Sequence, residues 1–252
     1  MNSPAYLIPF VLTINATIIA AVLVGLHRAT GRTDWPQAKK ARVMRTGATL
    51  VIGWYLLALL LSVMGAFRGL SDRLPTIEFG IFIPILAGLL MLWRSETVAK
   101  LIEVTPQHWL VAVQFYRVFG VIFILLLAAG QLPPQFALPA GWGDIAVGLL
   151  APLVAIVYAR SYMSARAVVL GWNVFGLLDL VVAVGTGFLT SPSPFQMLAL
   201  DRPNEIISAF PLVMVPVFAV PLSVLLHTAS LAKLAADQNA KREHDDIFLG
   251  AA

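Results

Sequence analysis

Seven apolar stretches, each long enough to cross a lipid bilayer, fill most of this chain, and two charged residues, Arg117 and Asp179, interrupt them. A helix rises 1.5 Å per residue, so roughly 20 apolar residues span the ~30 Å of hydrocarbon in a membrane. The stretches run from Ala5 to His27, Thr46 to Phe67, Ile77 to Trp93, Trp109 to Ala129, Ala140 to Tyr158, Ala167 to Phe188 and Glu205 to Thr228. They predict an all-α, polytopic integral membrane protein with a seven-helix bundle as its single domain, residues 1–232. A polar and disordered cytoplasmic tail, residues 233–252, is expected to follow. Only 12% of the residues are charged, against about a quarter in a soluble domain, and no polar block is long enough to fold separately. The first stretch does not read as a cleavable signal peptide, because Met1 to Pro4 lack positive charge and the apolar run is too long.

The distribution of Lys and Arg sets the expected orientation. Arg28, Arg32, Lys39, Lys40, Arg42 and Arg45 fall between the first two stretches, Arg94 and Lys100 between the third and fourth, and Arg160 and Arg166 between the fifth and sixth. With Lys233, Lys241 and Arg242 in the tail, they put thirteen cations on one side, against Arg68, Arg73 and Arg202 on the other. The N-terminus is therefore expected outside and the C-terminus in the cytoplasm, which an odd number of spans satisfies. Aromatic residues agree, with Trp93, Trp109, Tyr158 and Tyr162 near the inner interface and Tyr6 and Trp142 near the outer one. The net charge of +4 then reads as contact with anionic lipid at the cytoplasmic loops. No basic patch interleaved with aromatics points to nucleic acid. The expected location is a plasma (inner) membrane, most simply a bacterial one.

The loops are short. Gln131 to Pro139, with three prolines, reads as a stiff external turn, and Thr190 to Pro203 as the longest external connection. Ser95 to Val104 alternates polar and apolar residues at helical spacing and predicts a short helix lying on the membrane surface, stopped by Pro106. No internal repeat is visible, which counts against the inverted-repeat transporters.

Ionisable groups in hydrocarbon are costly and mark function by default. The fourth and sixth stretches run in the same direction. Counted from Trp109 and Ala167, Arg117 lies roughly 12 Å deep and Asp179 roughly 18 Å, a gap an arginine side chain can close. Gln114 and Asn173 lie at roughly 8 and 9 Å on the same count. The expectation is two polar layers, Gln114 with Asn173 and Arg117 with Asp179, acting either as a clamp between helices or as the lining of a polar cavity. A second constellation is acidic: Glu78 and Glu205 open the third and seventh stretches, Asp144 sits one turn into the fifth, and together they would form a cation-attracting vestibule at the outer face. Asp144 follows Gly141 and Gly143, which permit close backbone approach, and ranks third as a site residue.

Pro211, Pro216 and Pro221 recur in the seventh stretch and predict a kinked helix with freed carbonyls. His27, His108 and His227 all fall at cytoplasmic ends, where they suit the interface, so haem or metal binding through them is not expected; no cofactor is. The absence of cysteine excludes disulfides, thiol catalysis and iron–sulfur clusters. No phosphate-binding glycine loop or catalytic triad is present. The helix count matches that of the retinal proteins, but all five lysines lie outside the spans, which rules out a covalent retinal pigment.

The leading functional expectation is binding or passage of a small solute or ion through a polar centre between helices 4–7. Asp179 would be the ion- or proton-binding acid, Arg117 its partner, Asp144 the acid at the outer mouth, and Gln114 and Asn173 the polar lining. The alternatives are a non-transporting membrane subunit or sensor with a cytoplasmic partner, and a membrane-embedded haem or redox protein; an enzyme is not the leading expectation.

Overall fold

Helices account for every long element of the computed structural model, which describes residues 4–160 and 164–249, with side chains as far as Gln238. Tyr162, Met1 to Ser3 and the side chains of Lys241 and Arg242, all used in the topology argument, lie outside the described residues. No strand occurs among the described residues, and seven helices are long and apolar enough to cross a membrane.

In chain order the helices are α1 (Leu7–Gly31), α2 (Gln37–Val63), α3 (Ile77–Arg94), α4 (Glu96–Val104), α5 (Gln107–Ala112), α6 (Val121–Ala128), α7 (Pro134–Ala159), α8 (Ala165–Thr190) and α9 (Val220–Leu249). The fourth long helix is composite: α5 and α6 are joined without a break by a 3₁₀ segment, Val113–Gly120. The seventh is composite too, because a π-helical turn, Val215–Ala219, leads into α9.

Local chemistry explains several boundaries. Ser95 caps α4 by accepting from the Val98 amide at 3.4 Å, and Thr105 and Pro106 end it, so the short helix expected from the sequence is present. Its Glu103 carbonyl accepts from Lys233 Nζ at 2.8 Å, which ties α4 to α9. Arg28 and Arg32, at the end of α1, stack over Trp109 with 5.4 and 4.1 Å to the ring centre.

Three boundaries differ from the sequence reading, each for a physical reason. Helix α7 begins at Pro134, six residues before the expected Ala140. Pro134 has the fixed φ that suits a first helical turn, and Pro139 is absorbed inside the helix rather than stiffening a turn. The seventh long helix begins at Val215, not Glu205; the preceding residues form a 3₁₀ turn, Ile206–Ser208, and buried irregular chain. Pro211 therefore precedes the helix, and only Pro216 and Pro221 act within it. The expected break at Lys233 is absent: α9 continues to Leu249, and Lys233 and Leu234 are buried against neighbouring helices.

The interior holds two apolar clusters. The larger includes Leu126, Phe136, Ala140, Met214 and Phe218. The smaller gathers Val111, Val147, Ala151, Val169 and Trp172 at the lysine- and arginine-rich end. Residues 117, 144 and 179 fall at the seam between them. Helices α2, α3 and α8 turn large apolar side chains outward, with Leu60, Leu86 and Val181 more than half exposed at 56%, 64% and 69%.

Candidate functional site

Four of the long helices meet at one guanidinium. Arg117, on the 3₁₀ segment, is buried, and its Nε donates to Asp144 Oδ1 on α7 at 2.7 Å. Its Nη2 also stands 2.7 Å from that oxygen and donates to Asp179 Oδ2 on α8. Its Nη1 is 3.3 Å from the Gly176 carbonyl and 3.2 Å from His227 Nε2 on α9. Every guanidinium nitrogen thus has a partner, and two carboxylates share one cation.

The network continues through His227. A guanidinium can only donate, so His227 Nε2 accepts and the imidazole carries its proton on Nδ1. That Nδ1 donates to Asn173 Oδ1 at 2.9 Å. The Asn173 amide in turn donates to Ser230 Oγ at 2.9 Å and to the Val169 carbonyl at 2.8 Å. Gln107, at the start of α5, closes the chain by donating to Ser230 Oγ at 2.5 Å. A continuous file of polar groups therefore runs from the two acids to the lysine- and arginine-rich end, entirely through buried side chains. Trp172 packs on the His227 ring, 4.8 Å between centres, and is itself fixed by donating to the Val147 carbonyl at 3.1 Å.

Glycine makes the cluster sterically possible. A Cβ at Gly143 would overlap the Asp179 carboxylate, and one at Gly176 would overlap the His227 ring. These two positions let α7, α8 and α9 close around side chains that a larger residue would push apart.

The structure brings together Arg117 and Asp179 as the sequence suggested, and adds Asp144 directly to the pair. Asp144 is not at an outer mouth, because the early start of α7 carries it ten residues, roughly 15 Å, into the helix. The layer of Gln114 with Asn173 does not form. Asn173 bonds to His227 and Ser230, while both amide atoms of the fully buried Gln114 lack a partner. The vestibule separates as well. Glu78 and Asp144 line one cavity, whereas Glu205 is exposed and lines a different pocket with Arg68 and Gln131.

His227 was missed. It sits not at an interface but in the core, with no exposed surface. The signal was the run Ser223, His227, Ser230, whose four- and three-residue spacing puts three polar groups on one helical face. His27 is exposed and His108 half-buried. Among the described residues no group of three or more His, Cys, Asp or Glu is placed to hold a metal ion.

Two small cavities flank Asp144, each of about 50 Å³. That is room for a few waters, which need ~10–15 Å³ each on this measure, and not for an organic solute.

The architecture is thus seven long apolar helices, four of which close on a fully partnered arginine, two acids and a buried histidine. The chain belongs to the family described as Domain of unknown function (DUF8737), which it matches over residues 74–235. That span begins just before α3 and contains Arg117, Asp144, Asn173, Asp179, His227 and Ser230. No curated protein and no solved structure matches the chain.

Proposed function

We propose that this is a multi-pass membrane protein whose central cluster binds and passes a proton or a small monovalent cation. The observation that carries the reading is the charge count: Asp144 and Asp179 share the single guanidinium of Arg117, and His227 accepts from that guanidinium and so adds no charge. With both acids ionised the cluster carries one net negative charge, which is expensive away from water. One proton or one small cation neutralises it. The flanking cavities of about 50 Å³ favour an ion of that size over a larger solute.

Two features support insertion in a membrane. The outward faces of α2, α3 and α8 carry leucine, phenylalanine and valine at exposures that water would penalise. The polar groups are instead gathered inside, the reverse of a soluble bundle. The excess of Lys and Arg at one end supports a cytoplasmic C-terminus and an external N-terminus, with the basic end against anionic lipid.

Purified protein in liposomes loaded with a pH-sensitive dye or, in parallel, a sodium-sensitive dye tests the reading. Wild type is expected to dissipate an imposed proton or sodium gradient, and Asp179→Asn and Asp144→Asn to lose that activity by about tenfold or more while eluting as folded protein. Wild-type vesicles no leakier than empty ones, or variants as active as wild type, would sink it.

A further inference from the structure

Asn15 and Glu78 have no part in the central network, yet each lines a cavity that Asp144 also lines. Asn15, on α1, is buried, and its Nδ2 has no hydrogen-bond partner. The Tyr55 hydroxyl lies nearby but closes no hydrogen bond with that nitrogen. The cavity on this side includes Tyr116, Arg117, Asp144 and Ser223 in its walls. Glu78, in the first turn of α3, has a buried Oε2 that is likewise unpartnered. Its cavity includes Asp144 and Ser191.

The two cavities are neighbours. Phe123, Leu180, Val215 and Val220 line both, so a single apolar layer separates them, and Asp144 stands in that layer. Val215 opens the π turn and Val220 follows its end, which makes the irregular start of the seventh long helix part of the partition. On the far side, Ser223 Oγ donates to the Ala219 carbonyl at 2.9 Å and so accepts from the Tyr116 hydroxyl at 2.7 Å.

We propose that these cavities are the outer arm of a proton path, with Glu78 as its outer station, Asp144 as the transfer point, and Asn15 with the Tyr116–Ser223 pair holding water on the inner side. This rests on the reading that the central cluster passes a proton. The apolar partition offers no ring of oxygens to replace the hydration shell of a metal ion. A proton needs only a chain of hydrogen bonds. Each cavity has volume for a few waters, and the free Glu78 oxygen and Asn15 amide give such waters protein partners. In each transfer Glu78 releases one proton and is left ionised, a water takes it as hydronium, and Asp144 receives it on its carboxylate. One positive charge moves per step and nothing else is consumed.

The test uses full-length protein in liposomes under a pH gradient. Glu78→Gln is expected to slow proton flux by about tenfold or more, Glu78→Asp to restore part of it, and Val184→Phe, which fills the outer cavity without replacing an acid, to slow it too. Glu78 Oε2 has no protein partner to lose, so Glu78→Gln is expected to fold, and Val184→Phe gives an independent readout if it does not. Wild-type flux in both Glu78→Gln and Val184→Phe, with Asp179→Asn inactive, overturns the outer arm and leaves the central cluster standing. Wild-type flux in Asp179→Asn removes the central reading and the arm with it. Sodium flux without proton flux in wild type also overturns the arm.

Discussion

Two of the seven long helices depart from α geometry, and they do so in opposite senses. Val113–Gly120 is overwound to a 3₁₀ helix, and Val215–Ala219 is underwound to a π turn. With three residues per turn, Gln114, Arg117 and Gly120 stack in one row, and these are the residues of the segment that are buried. In an α-helix that row would swing by about 120° over six residues. Overwinding also lengthens the segment, at ~2.0 Å per residue instead of 1.5 Å, and so brings Arg117 about 2 Å closer to the level of Asp179. The π turn does something different. Pro216 has no amide hydrogen to give, and the widened turn places Val215 and Val220 in the walls of both cavities beside Asp144. One distortion aims a charge, and the other shapes the space around its partner.

If that division is right, the largest effect belongs to the overwound helix. Arg117→Ala leaves the buried Asp179 and the half-buried Asp144 without their shared cation and is expected to destabilise the fold by about 3–5 kcal/mol, read from denaturant or thermal unfolding in detergent. On the underwound helix, His227→Phe keeps the ring against Trp172 but removes an acceptor from Arg117 and a donor from Asn173. About 1–3 kcal/mol is expected for those stranded groups. Equal losses from the two variants would break the comparison, since the cluster would then depend as much on the histidine as on the charge.

How far the site was legible follows the same line. Seven long apolar runs and a charge in each of the fourth and sixth are properties of residue type and spacing, so the helices and the Arg117–Asp179 pair were readable. Asp144 was readable as a candidate but not in its place, because Pro139 looked like a turn and in fact lies inside α7. Pro139 is the sixth residue of that helix, past the four amides that lack a partner, so it leaves the Gln135 carbonyl without its helical donor and is carried by the packing of α7 rather than by its position. His227 was hidden by its position near the end of an apolar run, where the interface is the ordinary home of histidine. The two backbone distortions leave no mark in hydropathy, and with them went the correct partner of Asn173. Glu205 was misplaced for a related reason: Leu212 and Val213 are apolar because they are buried in irregular chain, not because they are helical.

The smallest expected effect is the sharpest test of what the overwound row is for. Gln114 occupies the row one turn before Arg117, has no exposed surface, and has neither amide atom in a hydrogen bond. A buried amide without partners has given up its water and gained nothing in exchange. Gln114→Leu, of similar size, is therefore expected to be neutral or to stabilise by up to about 1 kcal/mol, measured beside Arg117→Ala in the same unfolding assay. That outcome would mean that the 3₁₀ segment exists to mount a single charge. A loss of more than about 1 kcal/mol would mean that Gln114 holds a polar partner after all. The row would then be a track of polar groups running alongside the His227–Asn173–Ser230 file, and the overwound helix would shape the polar space as much as the π turn does.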